Sequence, residues 1–424
     1  MPQRRRVLTL LAALVPAAVV LALPLPMGRA EHWVLATSVF MVAGWLLEPI
    51  HPAFIGLLGC TLFWSAAGLE FDEAFHGFLT PTPWYIYGAI ILGVMADDTA
   101  VTRRVGEWLP RSIAGSRAGA PLVLIALGYL LGLVVPSPPA TTLIVVLVAI
   151  GLVRRLETKP ELHGHEMLVL GAGYAAALFG RSVAGGLDAI LPRLPWDIAA
   201  AAACWLAIVR RSLWSAAPDA DAFRLPPVPA VMGADGLRVA WLIAITCLAW
   251  LTVPVHGISP AVVGLAMGLV ATVPGIGAAA TERATKPDPL AIIVVGSALS
   301  MPSVLVQTGA LEAVRISCVW LSHTAANWIP GKLAFYVAAI GYHLFVPAAA
   351  NEESTFLAPL AAASGMAGTG EVIWSAAGSV MFALYQSPAL VLAATLGGFS
   401  SRQVWRMGLA VAVAGAVAVL FLRS

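Results

Sequence analysis

Gly119-Ala-Pro-Leu-Val-Leu-Ile-Ala-Leu-Gly-Tyr-Leu-Leu-Gly-Leu-Val-Val-Pro-Ser-Pro-Pro-Ala-Thr-Thr-Leu-Ile-Val-Val-Leu-Val-Ala-Ile-Gly-Leu-Val153 reads as two apolar arms around a short patch, Pro136-Ser137-Pro138-Pro139. Neither arm alternates polar and apolar residues at period two, so they are not barrel strands. Read as helices, they form a re-entrant hairpin that enters and leaves the membrane on one side. Non-helical backbone at membrane depth is tolerated only where protein or a water-filled cavity surrounds it. A second interrupted run lies at 331–366, broken by Asn351-Glu352-Glu353-Ser354-Thr355.

The rest of the chain supports a bilayer as the solvent. Of its 424 residues, 60% are hydrophobic and 11% charged, against about 25% charged in a soluble domain. Apolar runs of roughly 16–22 residues suit membrane helices. Spans are predicted at 7–26, 32–48, 50–69, 84–100, 166–192, 196–210, 237–255, 259–278, 289–306, 371–396 and 405–422, with hairpins at 119–135/140–153 and 331–347/353–366. The first apolar run follows Arg4, Arg5 and Arg6 but lacks an Ala-x-Ala-like cleavage site, so it reads as an uncleaved span. A net charge of +2 argues against nucleic acid as a partner. Cys60, Cys204, Cys247 and Cys318 lie scattered in apolar stretches without metal spacing and read as small buried hydrophobes.

Basic residues test this topology. With the N-terminus cytoplasmic, most Lys and Arg fall in inside loops. Arg29, Arg193, Arg315, Lys332 and Arg423 fall outside, and Arg181 lies within a span. Counting either hairpin as a full span weakens the asymmetry. Each half then shows spans, a hairpin, an interrupted span and a final span, and the two hairpins open from opposite sides. Inverted repeats with interrupted helices near the midplane are a transporter plan. The fold expected is an all-α polytopic membrane protein, with about eleven transmembrane helices and two re-entrant hairpins in an inverted two-fold repeat. The host is expected to be the cell (inner) membrane.

Several stretches carry a family likeness. They are Trp45-Leu-Leu-Glu-Pro-Ile50, Phe71-Asp-Glu-Ala-Phe75, Gly93-Val-Met-Ala-Asp-Asp98, Gly173-Tyr-Ala-Ala-Ala177, Gly180-Arg-Ser-Val-Ala-Gly-Gly186, and Ser387-Pro388 followed by Gly397-Gly398-Phe399 and Arg406. In this order they resemble the divalent anion:sodium symporter (solute carrier 13-like) family of the ion transporter superfamily. The resemblance implies an elevator-type homodimer. It implies scaffold parts at 1–118 and 237–308, transport parts at 119–211 and 309–424, and a cytoplasmic linker at 212–236. The sequence departs from the family at both hairpin tips, where Ser-Asn-Thr is expected. Ser137-Pro-Pro-Ala-Thr141 stands at the first and Ala349-Ala-Asn-Glu-Glu353 at the second. Gly186-Leu-Asp188 replaces the family's Thr-Pro-Pro-Asn.

An anion carrier needs helix N-termini or N–H groups aimed at the anion, oxygens for a coupling cation, and a mobile unit. The candidate substrate ligands are Ser137, Thr141, Thr142, Arg181, Asn351, Ser354, Thr355 and Ser387. The candidate coupling-ion residues are Ser182, Gly185, Asp188, Glu352, Glu353 and Gln386. Thr141 and Thr142 either cap a helix or touch substrate. Arg181 binds a carboxylate, stands where a sodium ion sits in relatives, or pairs with Asp188; a buried charge in a membrane marks a pathway or a pair. Two adjacent carboxylates, Glu352 and Glu353, either share a proton in place of sodium or lie at a wet outer mouth. Asp97-Asp98 reads as a charge-balanced interfacial end beside Arg103 and Arg104.

The function expected is a permease for a small anion, a di- or tricarboxylate, coupled to sodium or protons and needing no organic cofactor. Two other classes compete with this reading. A membrane enzyme lacks support, since no Walker A loop, HExxH or Gly-x-Ser-x-Gly is present. A transporter-derived sensor without flux is the alternative that the altered tips suggest.

Overall fold

The computed structural model describes residues 3–107, 118–135, 137–156, 165–179, 194–214, 233–278, 282–286, 288–346 and 370–421. All regular elements among them are helical. The longer ones are α1 (Gln3–Ala22), α2 (Arg29–Leu47), α3 (Pro52–Ser65), α4 (Pro81–Asp98), α5 (Val101–Glu107), α6 (Gly119–Val134), α7 (Pro138–Leu156), α8 (His165–Phe179), α9 (Leu194–Trp214), α10 (Ala234–Leu251), α11 (Pro260–Ala271), α12 (Pro289–Thr308), α13 (Leu311–Ala325), α14 (Gly331–His343), α15 (Gly370–Gly378), α16 (Pro388–Gly397) and α17 (Ser401–Phe421). Of these, α2, α10, α12 and α17 are long and apolar enough to cross a membrane by length and composition. Shorter apolar helices make up much of the remainder.

Local chemistry sets several boundaries. His51 caps α3 by accepting the Ala53 N–H at 3.2 Å, with Pro52 at the first helical position. Ser259-Pro260 starts α11 in the same way. The span expected over 259–278 stops at Ala271, because Pro274 cannot continue a helix and Gly275 takes φ 87° in the turn that follows. The first hairpin is present as α6 packed on α7. Its tip is pinned where the Val135 N–H donates to the Leu131 carbonyl at 2.7 Å and the Ser137 N–H to the Val135 carbonyl at 2.8 Å. The tip of the second hairpin lies outside the described residues.

The helices form two compact units. The first comprises residues 1–83, 290–387 and 411–424. Within it α1 packs on α2, α2 on α3, α13 on α14 and α14 on α15. Trp45 stacks on Tyr385 at 4.2 Å and donates its indole N–H to the Pro52 carbonyl at 2.9 Å. The second unit comprises 84–289 and 388–410. Its core sets α7 against α5, α8 and α16. Both units leave many large apolar side chains exposed, among them Trp64, Leu130, Trp241 and Trp320. A lipid solvent removes the penalty that water would impose on that surface.

Candidate functional site

The interrupted span of the second half is a true break. Helix α15 stops at Gly378, a short 3₁₀ turn forms at Leu384–Gln386, and α16 starts at Pro388. Gln386 holds the gap together. Its Oε1 accepts the N–H groups of Phe382 and Ala383 at 2.6 and 3.1 Å, and its Nε2 donates to the Val380 carbonyl at 3.4 Å. The side chain thus replaces the helical bonds that the break removes, as buried backbone requires. These bonds engage both ends of the amide that the sequence assigned to the coupling ion. Tyr385 adds a tie by donating its hydroxyl to the Leu344 carbonyl at 2.8 Å. Ser387 is buried with extended backbone and directly precedes α16.

Within the second unit, two helix N-termini lie at one end. A Cβ on Gly397 would run into Val169, and one on Gly173 would lie 2.6 Å from the Ala393 Cβ. Advancing along α8 from 169 to 173 means retreating along α16 from 397 to 393, so the two helices are antiparallel. Gly173 also approaches Val146 of α7 (3.5 Å), while Gly128, closer to the hairpin tip, lies against Ala176 further along α8 (3.2 Å). The tip, and the start of α7, therefore sit toward the C-terminal end of α8. The start of α16 sits there too. The first break expected from the sequence, with Arg181, Ser182, Gly185 and Asp188, falls after α8 and outside the described residues. So do Asn351, Glu352, Glu353, Ser354 and Thr355.

The first turn of α7 is built from hydroxyls. Pro138 and Pro139 remove two of the N–H donors that a helix start normally offers. The Thr141 N–H is already bonded to the Ser137 carbonyl at 3.0 Å. Thr141 and Thr142 are fully buried, and neither Oγ1 has a hydrogen-bond partner among the described residues. This departs from five other helical threonines. Thr61, Thr99, Thr246, Thr308 and Thr395 each donate to the carbonyl four residues back, at 2.6–2.9 Å. Buried polar groups are almost always paired. Two adjacent orphans at a helix N-terminus are suited to an oxyanion, which accepts from both hydroxyls and lies at the positive end of the dipole. At α16, Pro388 lacks an N–H, and those of Ala389 and Leu390 have no intrahelical acceptor by helix geometry.

Tyr85 is a site residue that the sequence reading missed. Its hydroxyl lies 3.4 Å from the Ser137 Oγ. Its ring packs edge-on against Trp250 at 5.9 Å, and Gly264 lies where a Cβ would collide with it. Nothing in the sequence sets it apart from Tyr87, two residues further on in the same helix. Far along α4, Asp97 and Asp98 are both bridged by Arg283, at 3.5 and 2.8 Å. That is the charge-balanced helix end expected, with Arg283 as a described partner.

The sequence profile of the citrate transporter family, CitMHS, matches residues 41–254, about half of the chain. This chain belongs to the citrate transporter family. The match contains the first hairpin, Tyr85, Ser137, Thr141 and Thr142, and it agrees with the ion transporter superfamily that the motifs resemble. Members of the family are transporters and not enzymes. The citrate transporter family member described here is therefore a multi-pass membrane protein. No curated protein matches the chain.

Proposed function

We propose that the protein is a secondary active permease for a citrate-like tri- or dicarboxylate. One carboxylate of the substrate is held at the start of α7 by the Thr141 and Thr142 hydroxyls. Ser137, oriented by Tyr85, completes that group, and the N-terminus of α16 faces the same end of the unit. The observation that carries this reading is the pair of buried threonine hydroxyls at a helix N-terminus, unpartnered among the described residues. Arg181, Asn351, Ser354 and Thr355 remain proposed ligands, and Ser387 supplies the residue before α16. The coupling ion is sodium or a proton, with Ser182, Gly185, Asp188, Glu352 and Glu353 as its proposed surroundings. A homodimer working by an elevator motion in the inner membrane, with a cytoplasmic N-terminus, completes the proposal, in keeping with the symporter motifs.

The test is uptake of labelled citrate by proteoliposomes, with succinate as competitor, under a sodium gradient and separately under a proton gradient. Saturable, gradient-driven uptake is expected. Saturable binding of citrate with no flux under either gradient would refute transport and favour a sensor.

A further inference from the structure

We infer that Tyr85 reads a hydroxyl on the substrate, so that this protein carries hydroxycarboxylates in preference to plain carboxylates; the inference rests on the permease reading above. Tyr85 and Ser137 are both buried, and the 3.4 Å contact between their oxygens is the one hydrogen bond that either hydroxyl makes among the described residues. It is long against the usual ~2.7–2.8 Å between hydroxyls. Each hydroxyl carries one proton and can also accept. One proton serves the mutual bond. The pair is left with a free donor and a free acceptor, buried side by side.

The Thr141 N–H bonds the Ser137 carbonyl, so Ser137 lies one helical turn before Thr141 on the same face. Its proton therefore belongs with the threonine hydroxyls that hold the carboxylate. Tyr85 then donates to Ser137, and the Tyr85 oxygen keeps the free lone pair. A carboxylate only accepts and leaves that lone pair empty. A hydroxyl on the carbon next to the carboxylate fills it. The circuit runs from substrate hydroxyl to Tyr85, from Tyr85 to Ser137, and from Ser137 to the substrate carboxylate. Every donor in it has an acceptor, as buried polar groups require.

Charge and packing point the same way. The stretches of α4, α10 and α11 around Tyr85, at 81–95, 239–251 and 260–271, carry no charged residue. A second carboxylate against Tyr85 would gain no cation from them, whereas a neutral hydroxyl needs none. The ring is also held still. Trp250 packs on it and donates its own indole N–H to the Pro260 carbonyl at 3.1 Å. A Cβ on Gly264 would strike the ring, and Gly88 and Gly268 bring the backbones of α4 and α11 into contact. A fixed ring discriminates without an ordering cost. Tyr85 stands level with the start of α16 as well. A Cβ on Gly93 would lie 2.6 Å from both Cδ atoms of Leu396. Tyr85 precedes Gly93 by eight residues, and Pro388 precedes Leu396 by eight, about 12 Å of helix in each case. A substrate reaching from the start of α7 toward that of α16 passes at this level.

The experiment measures uptake of labelled citrate by proteoliposomes, with unlabelled citrate and tricarballylate as competitors, for wild type and Tyr85→Phe. Tricarballylate is citrate with a hydrogen in place of the hydroxyl. In wild type, citrate is expected to compete about tenfold more strongly or better. Phenylalanine keeps the ring and removes its oxygen. The citrate constant should then rise about tenfold while the tricarballylate constant stays, and the preference should vanish. Equal competition in wild type overturns the proposal and leaves the permease reading intact. So does a preference that survives in Tyr85→Phe, or a rise of both constants together, which marks a positioning role alone. Absence of uptake in wild type overturns the permease reading and the proposal with it. Should Tyr85→Phe fail to transport, Gly264→Ala decides. It keeps the hydroxyl but pushes the ring aside, so the preference must shrink, and an unchanged preference overturns the proposal.

Discussion

Replacing Thr141 or Thr142 by valine separates a binding role from a packing role, because the two roles give opposite signs. Valine keeps the shape and removes the hydroxyl. Each hydroxyl is fully buried and unpartnered among the described residues, and such a group costs about 1–3 kcal/mol. Threonine and valine differ little in helix propensity. The valine variants are therefore expected to be more stable than wild type, by about 1 kcal/mol each. Substrate binding moves the other way. A hydrogen bond to a carboxylate contributes about 1.5–3 kcal/mol, so citrate affinity should fall roughly 10- to 100-fold per substitution. The assay is thermal melting of the detergent-purified protein with and without citrate. Citrate raises the wild-type midpoint by mass action. The valine variants should melt higher than wild type without citrate and respond to it only at much higher concentration. Variants that melt lower and keep full affinity would refute the reasoning, since the hydroxyls would then be bonded within the protein.

Three further outcomes follow from the same geometry. Gln386→Ala strips the buried Ala383 N–H and the part-buried Phe382 N–H of their acceptor, at about 1–3 kcal/mol for the buried one, so it should lower the melting midpoint; Gln386→Glu, which keeps the acceptor oxygens, should recover part of the loss. Gly173→Ala forces α8 away from Ala393 of α16, costing about 1–3 kcal/mol, and should weaken citrate binding together with stability. Glu312, partly exposed, has its carboxyl held below the usual range by the hydrogen bond from Arg315. Its folded pKa is depressed, so this small stabilisation is present above the unfolded pKa and lost as pH falls through the folded one; Glu312→Gln should flatten that acid limb in a melting series.

Much of the architecture was legible because bilayer constraints write themselves into composition. The hairpin at 119–153 showed as two apolar arms around prolines, and the second break showed as Ser387-Pro388 inside an apolar run. Both are signals of where a helix must stop. The shortened α11 was harder to see, because Val273 and Ile276 keep hydropathy high while Pro274 and Gly275 end the helix. Thr141 and Thr142 could be named from their place at a helix start. That they forgo the usual bond to the backbone could not be read, since a hydroxyl's partner depends on packing. Gln386 was named for its chemistry, but its bonds run to Val380, Phe382 and Ala383, a fold-back within the break that spacing does not reveal. Tyr85 pairs with a residue 52 positions away, and His343 meets Trp374, 31 positions further on. Such meetings arise only from tertiary structure.

The most direct test of the central claim is a structure of the transporter determined with citrate bound. A carboxylate is expected at the start of α7, within hydrogen-bonding distance of the Thr141 and Thr142 hydroxyls. Citrate bound elsewhere in the protein, with both hydroxyls still unpartnered, would contradict it.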